Sequence, residues 1–451
     1  MKQGITITVS ELGPIKGPCS VELNNFMIFS GQSGLGKSYL AMLVHYLYRI
    51  MVGIDLLDFF DYKKIDYTKL RQAHPNDTEF TLCEISTAEL LEWINSRAVK
   101  YLQELTGNPE LSPVIDIRME GLPETLTFTS YKAELPATPN TVPEVMEFIR
   151  LEESGDKMEI RISFAAMGNV SFIILLNRLF RKLYGVFPSA HFFLPPSRGG
   201  ILTLPSSAIF NNRDSMGMYY EFLSDFERIK SRLYGVIKPT PPEIKDFLHS
   251  KILNGEIRID SGDTLVYKMN RAAGNAIPIS AAAASIKELA PLALMVDKDV
   301  ASNYSILFEE PESHLHPEMQ IAVVDLIVAM TIAGAHFQIT THSDYILRRI
   351  NDLIYLFAVR QKMGEEAFAK YCAEEGLGTP PLLNPMLVNA YYFHTDADGN
   401  TLMTRQDLSN GVPFDTFFNV INTSIYKSSD IYDKFETLTQ EETDSPYEDA
   451  D

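Results

Sequence analysis

Gly31-Gln32-Ser33-Gly34-Leu35-Gly36-Lys37-Ser38 decides the reading of this chain. The stretch fits the pattern G-x-x-x-x-G-K-[ST] in full, and each part has a physical task. Gly31, Gly34 and Gly36 let the backbone curl so that successive N–H groups, those of Gln32, Ser33 and Leu35 included, face one anion. A helix beginning near Ser38 aims the positive end of its dipole at the same anion. Lys37 then reaches the β- and γ-phosphates of a nucleotide, and Ser38 Oγ binds Mg2+. The flanks agree: residues 26–29 are apolar throughout, the pattern of a buried central strand, and residues 38–51 read as an apolar helix.

Two further stretches answer the loop. Ser305-Ile306-Leu307-Phe308-Glu309-Glu310-Pro311-Glu312-Ser313-His314-Leu315-His316-Pro317 is an apolar strand that ends in two carboxylates. Adjacent strand residues point to opposite faces, so one carboxylate can hold Mg2+ through water while the next polarises an attacking water. An acidic turn after a strand is the plain alternative, and the complete phosphate loop upstream argues against it. Gln338-Ile339-Thr340-Thr341-His342-Ser343 sets a histidine at the end of the next expected strand. Neighbouring strand ends of a parallel sheet converge on one edge, where ligands bind. His342 is therefore a candidate to hydrogen-bond a γ-phosphate or the attacking water. His314 and His316 have a spacing that metal ligands can use, but no cysteine or third histidine lies nearby, and a structural or subunit-contact role is expected.

With these stretches in order, the chain resembles an ABC-type ATPase of the bacterial AAA/OLD/RecF-like class, related to the SMC-type repair ATPases. The carriers are GQSGLGKS (31–38), ILFEEPESHLHP (306–317) and TTHS (340–343), helped by the entry strands at 11–31 and by FFLPPSRGGI at 192–201. The resemblance covers residues 1–50 and 190–360 well and 52–150 poorly. It implies an α/β fold: a P-loop NTPase head of ABC type with a mixed β-sheet core, a helical lobe and an accessory insertion. It implies ATP and Mg2+ as ligands, Lys37 and Ser38 on phosphate and metal, Glu309 at the Mg2+-associated position, Glu310 as catalytic base and His342 as the switch histidine. It also implies a homodimer or higher homo-oligomer, in which a signature segment of one head caps the loop of the other. The matching segment is Ile279-Ser280-Ala281-Ala282-Ala283-Ala284-Ser285-Ile286-Lys287-Glu288, with alanines where the family has glycine and with Ser280 and Ser285 as hydroxyl donors. Stand-alone chains of this class often act in anti-phage or DNA-maintenance systems beside a separately encoded nuclease or toxin. An ATP-gated sensor or scaffold with little turnover is the alternative.

The expected organisation is strands and loop at 1–51, an insertion at 52–190, a helical lobe with the signature-like segment at 191–300, the carboxylate and switch part at 301–360, an α/β extension at 361–437 and an acidic disordered tail at 438–451. Cys19, Cys83 and Cys372 lie far apart, so reduced thiols in a cytoplasmic protein are expected, not a zinc ribbon or a disulfide framework. The start lacks the apolar core of a signal peptide, and no apolar run is long enough to span a bilayer. Residues 321–335 come nearest; Asp325 interrupts them, and a buried helix is expected. The missing LSGGQ-type signature opposes a transporter ATPase, and too few heptads oppose a long coiled-coil arm. A net charge of −20 disfavours a surface that is basic overall. Arg178, Arg181, Lys182, Arg228, Lys230 and Arg232 read as solvated helix faces rather than a DNA path, and direct DNA contact is left open. Arg198 is a candidate for a lobe contact or for the nucleotide base, against a plain surface arginine. Asp396 and Asp398 are read as a turn rather than a nuclease metal motif.

Overall fold

The computed structural model describes residues 4–74, 76–135, 144–152, 157–162, 168–185, 188–203, 217–231, 238–270, 275–412 and 415–443. The chain opens with β1 (Ile5–Ser10), whose residues alternate between buried and half-buried as their apolar period requires. Then come β2 (Cys19–Glu22), β3 (Phe26–Gly31) and helix α1 (Lys37–Val52). Residues 52–190 carry β4 (Glu79–Ser86), α2 (Thr87–Thr106), β5 (Val114–Met119), β6 (Thr125–Leu135), β7 (Glu144–Glu152), β8 (Lys157–Ile162) and α3 (Val170–Tyr184). Residues Thr87–Thr106 form one continuous helix, α2.

The second half begins with β9 (Ala190–Leu194) and α4 (Met218–Lys230), followed by β10 (Gly255–Ile259), β11 (Leu265–Met269) and β12 (Ile277–Pro278). Next are α5 (Ala284–Asp297), β13 (Tyr304–Glu309), α6 (Pro317–Ala333), β14 (His336–Thr341) and α7 (Asp344–Met363). The hairpin β15 (Val388–Thr395) and β16 (Thr401–Arg405) and the helix α8 (Asp415–Thr443) complete it.

The central sheet runs β16-β15-β3-β14-β13-β9, parallel except for β16 at its edge. This is a mixed β-sheet core, as the α/β expectation has it. Phe26 and Ile28 of β3 join one hydrophobic core, Met27 and Phe29 the other. A strand buried on both faces has to be apolar at every position, as β3 is. Three antiparallel sheets surround this core: β2-β1-β5, β4-β6-β7-β8 and β10-β11-β12. The 52–190 span pairs with and packs against the N-terminal elements. Its β5 pairs with β1 along six residues, and Leu90, Phe128 and Phe172 share a core with Leu40 and Leu43 of α1.

Several local expectations change. Helix α6 is buried along most of 321–333, as expected, but it ends at Ala333, and Ile321 and Ile332 are 36% and 54% exposed. Its Asp325 is held by Arg349 of α7, with Nε donating at 2.7 Å, which explains a charge inside an apolar stretch. Helix α8 runs to Thr443, so residues 438–443, expected to open a disordered tail, are helical; 444–451 lie outside the described residues. In the turn at 396–400, the Asp396 carboxylate accepts from the N–H groups of Asp398 (2.9 Å) and Asn400 (2.8 Å), which occupies it with its own turn. The three cysteines are free. No helix among the described residues is long and apolar enough to cross a membrane.

Candidate active site

The phosphate loop leaves β3 at Gly31 and enters α1 at Lys37. Gly31, Gly34 and Gly36 all have positive φ (127°, 81° and 89°), a region that an L side chain rarely adopts. At Gly31 space forbids a side chain as well: a Cβ would lie 2.2 Å from the Phe393 carbonyl oxygen of β15. Gly31→Ala is therefore expected to cost about 3 kcal/mol or more, read as a lowered midpoint in urea. Gln32, Ser33 and Gly34 are exposed and Leu35 is buried, which anchors the loop and leaves its crest open. Lys37 Nζ donates to the carbonyls of Gly31 (2.9 Å) and Gln32 (2.6 Å), and burial lowers its pKa, opposed by Glu310, Glu312 and Glu309.

Strand β14 lies between β3 and β13, and the registers Glu309–Thr340 and Thr340–Phe29 bring all three C-terminal ends to one edge. There Ser38 Oγ donates to Glu309 Oε2 at 3.0 Å, across 271 positions of sequence. Glu309 is 3% exposed, and its Oε1 has no hydrogen-bond partner. Burial pushes its pKa up to about 7; the Ser38 hydrogen bond lowers it, Glu310 raises it, and Arg198 and Lys37 lower it. An orphaned carboxylate oxygen beside a serine hydroxyl is an oxygen donor set that fits a hard cation such as Mg2+.

The same burial gives a signed pH effect. Between the ordinary glutamate pKa and about 7, the folded chain holds a proton at Glu309 that the unfolded chain has released. Its contribution is full below the ordinary value and falls as pH rises through that window. Without metal, Glu309→Gln is expected to gain on the wild type from pH 5 to 8, by on the order of 1–3 kcal/mol, measured from urea midpoints.

Glu310 leaves the strand direction. Its φ is 44°, its N–H donates to the Thr340 carbonyl (3.0 Å), and its Oε2 accepts from Ser313 Oγ (3.2 Å). His342 caps the end of β14, its N–H donating to Glu312 Oε1 at 2.9 Å, with Nδ1 3.4 Å from the same oxygen. Glu310 and His342 line one cavity of about 470 Å³ with Glu312, His314 and Gln320. Glu312, quoted in the sequence motif but given no role there, is the residue that orients His342. It is buried, accepts from Thr341 Oγ1 (2.8 Å), and has a raised pKa through burial. Gln320 was also unassigned; its Oε1 accepts from Ser343 Oγ at 2.6 Å. His314 and His316 belong to no cluster of metal-ligating groups among the described residues.

Residues 220–348 match the family model described as "AAA domain, putative AbiEii toxin, Type IV TA system". That span holds Glu309, Glu310 and His342 but not the phosphate loop. No curated protein matches the chain. Among solved structures, an SMC head domain from Thermotoga maritima shares 10% identity over 90% of this chain and 100% of that one, with a TM-score of 0.32. An Smc head with an extended coiled coil, bound to the C-terminal domain of ScpA derived from Pyrococcus furiosus, shares 10% over 94% and 99%, with a TM-score of 0.36.

Of the alternatives open for Arg198, its surroundings fit a contact between elements. It is fully buried, neither at the surface nor open to a nucleotide base. Nε donates to the Glu288 carbonyl (2.9 Å), Nη1 donates to the carbonyls of Pro195 and Glu309 (3.0 Å each), and the guanidinium lies 4.5 Å over the Phe308 ring. It thus ties the first turns of α5 to the end of β13. Near the start of α5, Ser280 is exposed and Ser285 is half-buried. Among the described residues, no hydrogen bond joins either serine to the loop or to Glu310. The basic residues set aside as a DNA path are engaged locally: Arg178 with the Glu159 carbonyl, Arg181 with Ser189, Arg228 with Asp225, and Lys230 with Glu227 and Asp263. Arg232 lies outside the described residues.

Proposed function

We propose that this chain is an ATP-binding and ATP-hydrolysing ABC-type ATPase that works as a nucleotide-driven dimerisation switch. The observation that carries the proposal is the Ser38–Glu309 hydrogen bond, which unites the phosphate loop and the carboxylate strand at one sheet edge. In this reading the loop N–H groups from Gln32 to Ser38 receive the phosphates, and Lys37 exchanges its two carbonyls for the β- and γ-oxygens. Ser38 and Glu309 would hold Mg2+, which supplies positive charge against the developing phosphate charge. Glu310 takes the proton of the attacking water, and His342, held by Glu312, donates to the γ-phosphate. Ser280 and Ser285 reach the loop of a second copy, where the N-terminus of α5 faces the phosphate. The expected domain boundaries are part of this reading.

A separately encoded nuclease or toxin, acting in phage defence or DNA maintenance in the cytoplasm, is the proposed effector. The toxin–antitoxin wording of the matched family model is in keeping with it. A second reading, an ATP-gated scaffold with little turnover, is favoured by the alanines of 281–284 where the family has glycine. The test is molar mass by light scattering, with and without a non-hydrolysable ATP analogue, together with turnover measured with and without duplex DNA. The mass is expected to double with nucleotide. A mass unchanged at saturating nucleotide would overturn the switch, and DNA-stimulated turnover would assign direct DNA sensing.

A further inference from the structure

One cluster of metal-ligating side chains lies outside the nucleotide site and goes beyond its proposed role. His45 stands on α1, about two turns past Ser38. His191 is on β9, and Glu221 and Asp225 are four residues apart on α4, which places both on one face of that helix. Each offers one ligand atom, and all four atoms lie within 4.8 Å of one another. His45, His191, Glu221 and Asp225 are 0%, 8%, 8% and 3% exposed.

A closed polar network would satisfy its own members, and this one does not. His45 Nδ1, His191 Nδ1 and Asp225 Oδ2 are buried without a hydrogen-bond partner. A buried polar atom left without a partner is destabilising. The carboxylates are already aimed by outer partners. Glu221 Oε2 pairs with Arg49 at 2.8 Å, its Oε1 accepts from Tyr101 Oη at 2.9 Å and lies 3.3 Å from His45 Nε2, and Asp225 Oδ1 pairs with Arg228. That leaves Asp225 Oδ2 directed at His191 Nδ1, 3.7 Å away. Hydrogen bonds that fix ligating carboxylates from behind are the usual support of a metal centre. Tetrahedral zinc with bonds of about 2.0–2.1 Å sets its ligand atoms roughly 3.3 Å apart, so the present spread closes on an ion with a small contraction. His191, Glu221 and Asp225 line a cavity of about 780 Å³, which gives an ion its way in.

We infer that His45, His191, Glu221 and Asp225 form a second, transition-metal site of the zinc class, pinning the phosphate-loop helix to α4 and the edge strand β9. Two imidazoles with two carboxylates favour Zn2+ or Co2+ over Mg2+. The sequence reading missed the site because its members are spread over 181 positions (45 to 225) and three elements. Only the Glu221–Asp225 spacing on one helix carried a local signal.

The experiment uses the full chain, stripped with a chelator and then titrated with Zn2+ or Co2+ in buffer free of nucleotide and Mg2+. One Co2+ per chain is expected, with the visible absorption of a four-coordinate site. His191→Gln and Asp225→Asn, checked for folding by circular dichroism, are expected to weaken binding at least about tenfold. Lys37→Ala and Glu309→Gln are expected to leave it unchanged. No stoichiometric binding by the wild type overturns the inference, as does binding unchanged in both cluster variants or lost in Glu309→Gln. Should the cluster variants fail to fold, X-ray absorption of the zinc-loaded wild type decides. Imidazole nitrogen and oxygen ligands support the site, and a sulfur-containing or all-oxygen shell overturns it.

Discussion

Glu310→Gln lowers ATP turnover at least about 100-fold and leaves nucleotide binding in place. The geometry leads to this expectation. Glu310 sits where β13 ends, turned out of the strand by a φ of 44° and anchored through its N–H to the Thr340 carbonyl. A non-glycine residue held in that region persists only when its surroundings fix it. The anchor is main-chain, so glutamine keeps it, and the amide can still meet Ser313. What glutamine cannot do is accept a proton from water. Phosphate release and fluorescent-nucleotide affinity separate the two effects. Loss of binding along with turnover would make Glu310 a structural residue of the loop edge and not the base.

Arg198→Ala destabilises the fold by about 3–5 kcal/mol, the range for removing one partner of a buried ion pair. The carbonyls of Pro195, Glu288 and Glu309 lose their donor, and the buried Glu288 carboxylate, 3.5 Å from Arg198 Nε, loses its counter-charge. Burial lowers the Arg198 pKa to about 10, with Glu288 first among the groups that oppose the shift, so the side chain is charged at neutral pH. Arg198→Met with Glu288→Gln removes both charges and keeps volume, and it is expected to recover part of the loss. Urea midpoints measure all of this; a loss below about 1 kcal/mol for Arg198→Ala would place the arginine among ordinary exposed pairs. A separate fall in turnover in the folded double variant would show that the link from α5 to β13 also serves the site.

What could be read in advance was what lies contiguous in sequence. The phosphate loop, the strand into Glu309 and the strand into His342 each carry pattern and chemistry within a dozen residues. Their meeting at one edge followed from the parallel sheet alone. What escaped depends on distant partners. The pairing of β5 with β1 joins Ile7 to Ile117, and nothing local in either strand names the other. Arg198, in the Pro195-Pro196-Ser197-Arg198 stretch, leaves a lobe contact, a base contact and a plain surface arginine all open until three carbonyls close around it. Glu312 reads as one more acid of a turn until β14 sets His342 on it. The acidic end of α8 reads as disordered in sequence because of its charge, whereas helix propensity persists through Glu441 and Glu442.

The most direct test of the account is steady-state Mg2+-ATP turnover by the purified chain beside Lys37→Ala. The account predicts turnover by the wild type, on the order of 1 per second or slower, and only background in Lys37→Ala, whose cation no longer reaches the phosphates. A wild type no faster than Lys37→Ala would contradict it.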